Sequence, residues 1–446
     1  MVLKNNFLKT ALFLLLFLSC QPGRAQGLYF PPLNPVLPWD TVSPASLNWC
    51  TDKIAPLYEF LAQENTKGFI VLKDGKIVLE KYFGTFTADS IWYWASAGKT
   101  VTAVLTGMAL EDGLLSLSDK SSKYLGTGWT SCTLSQEDKI TVRHQLTMTS
   151  GLDDGVPDNH CTLDTCLQYL SDAGTRWAYH NAPYTLLEKV LENATGQPVN
   201  TFTQTELKAH TGMNGFWYTV DYDNVYFSNT RSMARFGLLI QNRGAWGTDI
   251  LLHDTAYFSQ MTNTSQPLNL SYGYLWWLNG KSTFMLPSTQ IVFTGSIAPH
   301  APADMIAGLG KNGQIVSVSP SKGIVLVRMG NQPTSPASEI ANQLCDNIWQ
   351  KLNEVMCNSN AIDEHVPGTV PMHIYPNPAS GIISVEVSGQ RFDLAVYDLA
   401  GRVIFQQQLI AGKTQINCSN IKAGTYFVRA TDRTKGVYTQ KLVLTK

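Results

Sequence analysis

Two hairpin signatures bracket a long, helix-patterned stretch of this sequence. The first is Gly68-Phe-Ile-Val-Leu72, a turn at Asp74-Gly75, then Lys76-Ile-Val-Leu-Glu-Lys-Tyr82. Asp-Gly between apolar alternations is a strong short-range hairpin signal. The second is a pair of apolar runs, Gln314 to Ser319 and Gly323 to Met329, separated by Pro320-Ser-Lys322, with a helical pattern from Ser338 to about Val355 after it. Strands at both ends and helices between them predict an α+β domain. Its antiparallel sheet is assembled from both termini, flanked by helices, around an inserted helical lobe.

The chain has 446 residues, enough for two or three domains. Charged residues make up 15%, well under the ~25% usual for globular proteins, and the formal net charge is -1. Nothing there steers a polyanion, so nucleic acid is not an expected partner. Residues 1–25 read as a signal peptide. Lys4 and Lys9 precede an apolar run from Ala11 to Leu18, and Gly23 and Ala25 supply small residues before Gln26. The run is too short to span a bilayer. Cys20 after Ser19 permits a lipoprotein reading, but Phe17 and Leu18 suit lipid attachment poorly. Residues 26–357 form the mixed block, 358–370 a linker (Asn358, Ser359, Asn360, Pro367, Gly368), and 371–446 an all-β unit. Export permits disulfides. Cys161 with Cys166, and Cys345 with Cys357, are plausible local pairs, though connectivity is not fixed by spacing. The Cys and His residues are too scattered for a zinc cluster, and the histidines read as structural or surface groups.

Three motifs carry candidate chemistry. Ser96-Ala-Gly-Lys99 is an S-x-x-K spacing at the head of a helix running to about Leu110. Residues i and i+3 share a helix face. A serine hydroxyl needs an adjacent base, and an uncharged lysine amine can serve. The ordinary alternative is a serine N-cap with a solvated lysine. Rival matches at Ser319–Lys322 and Ser419–Lys422 fall in a hairpin turn and in the β tail, without the helix that the chemistry needs. Tyr179-His-Asn181 offers a phenol to relay protons and an amide to hold the lysine or a substrate carbonyl; the bland reading is an aromatic loop anchoring the next helix. Gly308-Leu-Gly310-Lys311 is a glycine-rich approach to a strand, where substrate could come close to the backbone. A phosphate loop is excluded, since no Gly-Lys-Ser/Thr follows.

Taken in order, these segments resemble the serine β-lactamase and penicillin-binding-protein superfamily over about three quarters of the chain. Trp94-Ala-Ser96-Ala-Gly-Lys99-Thr-Val-Thr102 is similar to its nucleophile helix. Ile140-Thr-Val-Arg-His-Gln-Leu-Thr-Met-Thr-Ser-Gly-Leu152 is similar to its I-T-I-R-H-L-L-T-H-T-S-G-L segment. Tyr179-His180-Asn181 resembles the Y-x-N motif of class C β-lactamases and related esterases. Gly308-Leu309-Gly310 stands where the family has Lys-Thr-Gly or His-x-Gly, so the cation assigned to a β-lactam carboxylate is missing. The pattern resembles more closely the 6-aminohexanoate-dimer hydrolase branch, which cleaves linear amides and esters. The resemblance implies a β-lactamase-like sheet and an acyl-enzyme on Ser96, with Lys99 as base and Tyr179 as relay. It implies that Asn181 orients substrate, with the Ser96 and Lys311 amides as the oxyanion hole. No metal or cofactor is implied. The substrate would be a small molecule or peptide. A β-lactamase or D-alanyl peptidase, and a non-catalytic binding protein on the same fold, are the rivals.

The tail alternates apolar residues over Ile383 to Val387, Leu394 to Tyr397, Val403 to Phe405, Tyr426 to Ala430 and Lys441 to Leu444, which predicts a small sandwich of about seven short strands. Tyr375-Pro-Asn-Pro378, Val396-Tyr-Asp-Leu-Ala-Gly401, Ala423-Gly-Thr-Tyr-Phe-Val428 and the closing Lys441–Lys446 resemble the type A sorting domain of the type IX secretion system. That resemblance implies the secretion machinery as partner, and release or surface attachment beyond the outer membrane. A carbohydrate-binding or adhesive sandwich is the bland alternative. Trp92, Trp94, Trp276 and Trp277 could line an acyl pocket, with core packing the more ordinary role.

Overall fold

The structure is a computed structural model describing residues 27–334, 340–357, 372–398, 401–432 and 437–445. The signal-peptide and linker readings lie outside these residues.

The two hairpin signatures fold as written and then pair with each other. Strands Thr66–Lys73 and Lys76–Tyr82 form the first hairpin, and Gln314–Ser319 and Ile324–Gly330 the second. Leu72 faces Val325 across the join. The full antiparallel sheet has six strands in the order Lys76–Tyr82, Thr66–Lys73, Ile324–Gly330, Gln314–Ser319, Ile306–Gly310, Trp277–Leu278. Strand side chains alternate between faces, and here both faces are covered. A Cβ on Gly237 of helix Thr230–Gln241 would collide with Val325 and crowd Val316 and Val318. Ser317, between those two valines, points the other way and accepts the indole N–H of Trp349 at 3.0 Å from helix Asn342–Val355. Two-sided burial explains the near-continuous burial along the central strands Thr66–Lys73 and Ile324–Gly330.

Cys50 pairs with Cys357, and Cys161 with Cys166. The expected Cys345–Cys357 pair is therefore wrong. Most of the interval is helix, whose 1.5 Å rise per residue separates the two by about 15 Å or more, far beyond disulfide reach. Cys345 is instead fully buried.

Among its described residues the tail is all β, with five strands rather than about seven: Met372–Tyr375, Ile382–Tyr397, Val403–Asn417, Gly424–Asp432 and Val437–Leu444. Segments read as two strands, Ile383–Val387 and Leu394–Tyr397, are one continuous strand with a register shift between Val387 and Arg391. A bulge bends a strand without ending it. The tail has its own core, including Ile383, Val385, Leu394, Val396 and Val428. It meets the larger block where Phe293 packs edge-on to Phe427 at 5.1 Å. Among the described residues, no helix is long and apolar enough to cross a membrane.

Candidate active site

The Ser96 helix begins differently from expectation, and the difference matters. Residues Ala95–Gly98 form a 3₁₀ turn that feeds into the α-helix Lys99–Glu111. In a 3₁₀ turn, residues three apart eclipse one another, so Ser96 and Lys99 align more directly than on an α-helix. Lys99 Nζ lies 3.0 Å from Ser96 Oγ and donates to it. Just before the serine, Ala95 has φ 46°, a left-handed conformation that costs a non-glycine residue roughly 1–2 kcal/mol. Surroundings hold the turn there: Trp94 N–H donates to Tyr226 O at 2.8 Å, and its indole N–H to Ser228 Oγ at 2.8 Å. Ser96 itself is partly exposed, while Lys99 is buried.

Asn181 joins this pair. Lys99 Nζ donates to Asn181 Oδ1 at 2.9 Å. The lysine also lies over the ring of Tyr184, 4.1 Å from its centroid, and 5.2 Å from that of Tyr179. Tyr179 is buried and stacked on Trp277, with ring centroids 5.7 Å apart. Its segment is placed by the Ile140–Leu152 stretch. There a capping box at Thr141 and His144 starts the helix Val142–Leu146, and Met148 O accepts the Ala178 N–H at 2.9 Å. That bond anchors the backbone of Ala178, next to Tyr179, on the Ile140–Leu152 stretch.

The glycines bring their strand and the nucleophile turn close together. Gly308 and Gly310 lie on the strand facing the Ser96 turn, and a Cβ on Gly310 would stand 2.5 Å from Trp94 O and 2.9 Å from Ala97 N. A Cβ on Gly308 would stand 3.0 Å from Thr100 Cγ2 and 2.9 Å from Val316 Cγ1. Both leave room for the nucleophile turn to approach the sheet. Strand Trp277–Leu278 pairs with Ile306 and Ala307 and stops there. Lys311 opens the 3₁₀ turn Lys311–Gly313, and that turn lies against Ala95–Gly98. Asn312 Nδ2 donates to Tyr93 Oη at 2.8 Å. Arg328, wholly buried, ties the turn down by donating to Asn312 O at 2.7 Å and Gly313 O at 2.8 Å. Burial pushes its guanidinium down to about 10, which still leaves it charged near neutrality.

Sequence reading missed three residues here. Asn181 Nδ2 donates to Asn159 Oδ1 at 3.2 Å and meets His160 Nε2 at 3.2 Å, while His160 Nδ1 lies 2.7 Å from Asp223 Oδ2. Burial alone would raise the Asp223 carboxyl. The hydrogen bond and charge of His160, with the charge of Lys99, outweigh it and hold Asp223 below the usual carboxylate range. The scattered histidine pattern predicts only a structural or surface role for His160. The polar run Asp158-Asn-His160 beside Cys161 was the only local cue. Trp94, Trp276 and Trp277 are core residues, with Trp92 half-buried. Among the described residues, no cluster of His, Cys, Asp and Glu could hold a metal ion.

The beta-lactamase family profile matches residues 60–344. A profile for secretion system C-terminal sorting domains matches residues 373–445. An uncharacterized protein of Alkalihalophilus pseudofirmus is 27% identical over 318 residues, 62% of this chain and 86% of that protein. Among solved structures, one described as a 6-aminohexanoate-dimer hydrolase from Bacillus anthracis is 18% identical with a TM-score of 0.54, covering 72% of this chain and 88% of that one. A family VIII carboxylesterase is 12% identical with a TM-score of 0.53, over 71% and 98%. The octameric penicillin-binding protein homologue from Pyrococcus abyssi is 15% identical with a TM-score of 0.51, over 89% and 96%.

Proposed function

The chain belongs to the beta-lactamase family, a family of hydrolases, and from that premise we propose that it is a serine hydrolase cleaving an ester or amide bond through an acyl-enzyme on Ser96. The carrying observation is the 3.0 Å contact between Ser96 Oγ and Lys99 Nζ in an otherwise buried corner.

In the first step uncharged Lys99 takes the hydroxyl proton, reversing the direction of that hydrogen bond, as Ser96 Oγ attacks the substrate carbonyl carbon. The carbonyl oxygen becomes an oxyanion stabilised by the Ser96 and Lys311 amides. Tyr179 gives its proton to the leaving amine or alkoxide and regains one from Lys99, and the leaving group departs as the carbonyl re-forms. Asn181 orients the substrate as well as the lysine. Water then attacks the acyl-serine by the same route in reverse and releases the acid.

Linear esters and amides fit better than β-lactams. The position of the family's carboxylate-binding cation is Gly308, whose Cβ direction is filled by Thr100 and Val316, so no side chain of that size fits. The C-terminal sorting domain indicates type IX secretion to the cell surface or outside. On this reading residues 1–25 direct passage of the inner membrane, residues 26–357 are the hydrolase, 358–370 the linker and 371–446 the sorting unit.

The test is labelling of the intact chain with a fluorophosphonate probe. Stoichiometric labelling that disappears in Ser96→Ala is expected. Labelling that survives in Ser96→Ala refutes the nucleophile. Hydrolysis of p-nitrophenyl esters or linear amides without nitrocefin turnover supports the substrate class, and efficient nitrocefin turnover overturns it.

A further inference from the structure

We infer that His160 is a positioning residue that fixes which way the Asn181 side-chain amide faces, and through it the Lys99 amine; this rests on the serine-hydrolase reading of Ser96 and Lys99.

The two ends of an asparagine amide are nearly the same shape, and only partners decide which end points where. Lys99 Nζ brings N–H donors, so it needs the Oδ1 end, which lies 2.9 Å away. The Nδ2 end then needs acceptors. It has Asn159 Oδ1 and His160 Nε2, each at 3.2 Å. A histidine ring nitrogen accepts only when the proton sits on the other one. Asp223 Oδ2, 2.7 Å from Nδ1, settles this, because an ionised carboxylate is an acceptor only and requires the proton on Nδ1. One polarity therefore runs without conflict from Lys99 through Asn181 and His160 to Asp223.

The segments that bring these groups together are separate and locally secured. Asp223 opens strand Asp223–Ser228. Asn181 opens helix Asn181–Thr195. The His160 loop is closed by the Cys161–Cys166 bond, and Asn159 O accepts the Ala182 N–H at 2.9 Å. A merely superficial ion pair would contribute about 0–1 kcal/mol and nothing to chemistry. The pairs His210–Asp249 and His253–Glu111 have that character; they line a shallow pocket at the far end of helix Lys99–Glu111. His160 differs in placing its second nitrogen on a buried amide that touches the lysine.

Protonating His160 turns Nε2 from acceptor to donor. It then faces Asn181 Nδ2 donor to donor, and the flipped amide would face Lys99 donor to donor. The charged and titratable groups around His160 are Asp223, Asp158, whose carboxylate accepts the His160 backbone N–H at 3.0 Å, and, beyond Asn181, Lys99 with the Tyr184 phenol.

The experiment compares fluorophosphonate labelling rates and p-nitrophenyl ester kinetics of the full chain as wild type, His160→Ala, His160→Gln and Asp223→Ala, with Ser96→Ala as blank. His160→Ala is expected to slow labelling about 10–100-fold and lower kcat with KM little changed, as loss of orientation does. Glutamine offers an acceptor oxygen in place of Nε2, so His160→Gln should recover to within about threefold of wild type. Asp223→Ala should slow labelling in the same way as His160→Ala, and it carries the test if His160→Ala does not fold. Wild-type labelling by His160→Ala or Asp223→Ala overturns the inference, as does a His160→Gln chain no faster than His160→Ala. Labelling in the Ser96→Ala blank would instead defeat the nucleophile assignment itself.

Discussion

Lys99 Nζ donates to Asn181 Oδ1 at 2.9 Å across a separation of 82 residues. The contact binds the helix carrying the base to the loop carrying Tyr179. Replacing Lys99 by Met keeps the buried stem and removes the amine. Ester hydrolysis should fall at least about a thousandfold, as it does when one member of a catalytic unit is deleted. Steady-state kinetics on a p-nitrophenyl ester measure this, and a residual rate near wild type would contradict the assignment of the base.

Gly310 and Gly308 should respond unequally to alanine. The new Cβ at Gly310 meets main-chain atoms of Trp94 and Ala97, which cannot move without shifting Ser96. Gly310→Ala should lower kcat roughly a hundredfold, the scale expected for about 1 Å of misplacement. At Gly308 the two nearest atoms are side-chain methyls of Val316 and Thr100, and the main-chain contact, Ala97 O, is farther at 3.2 Å, so the strain falls less directly on the Ser96 turn. Gly308→Ala should keep most activity. Parallel kinetics on the two variants decide it, and equal losses would count against the packing argument.

Arg328→Leu should cost stability and labelling together. The guanidinium serves Thr66 Oγ1 and main-chain carbonyls of Glu64, Asn312 and Gly313. Unpairing buried acceptors costs about 1–3 kcal/mol each, so a loss of at least about 3 kcal/mol is expected. Because the same bonds hold the Lys311 turn, Ser96 labelling should slow as well. A urea titration paired with labelling rates checks both, and an unchanged midpoint would be the contrary outcome.

His180 makes stability depend on pH. Burial pushes its imidazole down to about 4, against the partial compensation of the Asp154 charge. Its place just before helix Asn181–Thr195 also disfavours a cation. Between about pH 6.5 and 4 the unfolded chain takes up a proton that the folded chain refuses. This residue's contribution is thus full above 6.5 and lost as pH falls, by up to about 3 kcal/mol. The stability of His180→Gln relative to wild type should therefore improve as pH drops through that window. Thermal midpoints at pH 7 and pH 4.5 test it, and a pH-independent difference would be the wrong result.

The Cys50–Cys357 bond ties together the two ends of the hydrolase block. Cys357→Ser should lower stability by about 2–4 kcal/mol, whereas Cys345→Ser leaves both bonds in place. Peptide mapping without reduction should recover Cys50 joined to Cys357. A Cys345–Cys357 peptide would contradict the fold.

Much of this protein was legible in residue order. Asp74-Gly75 gave a hairpin, the Ser96–Lys99 spacing gave a shared face, and the tail's alternations gave an all-β unit. These rules act between near neighbours and need no knowledge of what packs above them. Strand number in the tail was misjudged because a bulge and a chain end look alike locally.

Residue order by itself determined the turns, the helix faces and the all-β character of the C-terminal unit, since backbone sterics and side-chain periodicity are local. Tertiary structure alone decided that Gly310 yields to the Ser96 turn, that Cys50 rather than Cys345 reaches Cys357, and that Asn159, His160 and Asp223 stand behind Lys99. Each depends on where distant segments come to rest, which is fixed by burial of the whole core and not by any short stretch of it.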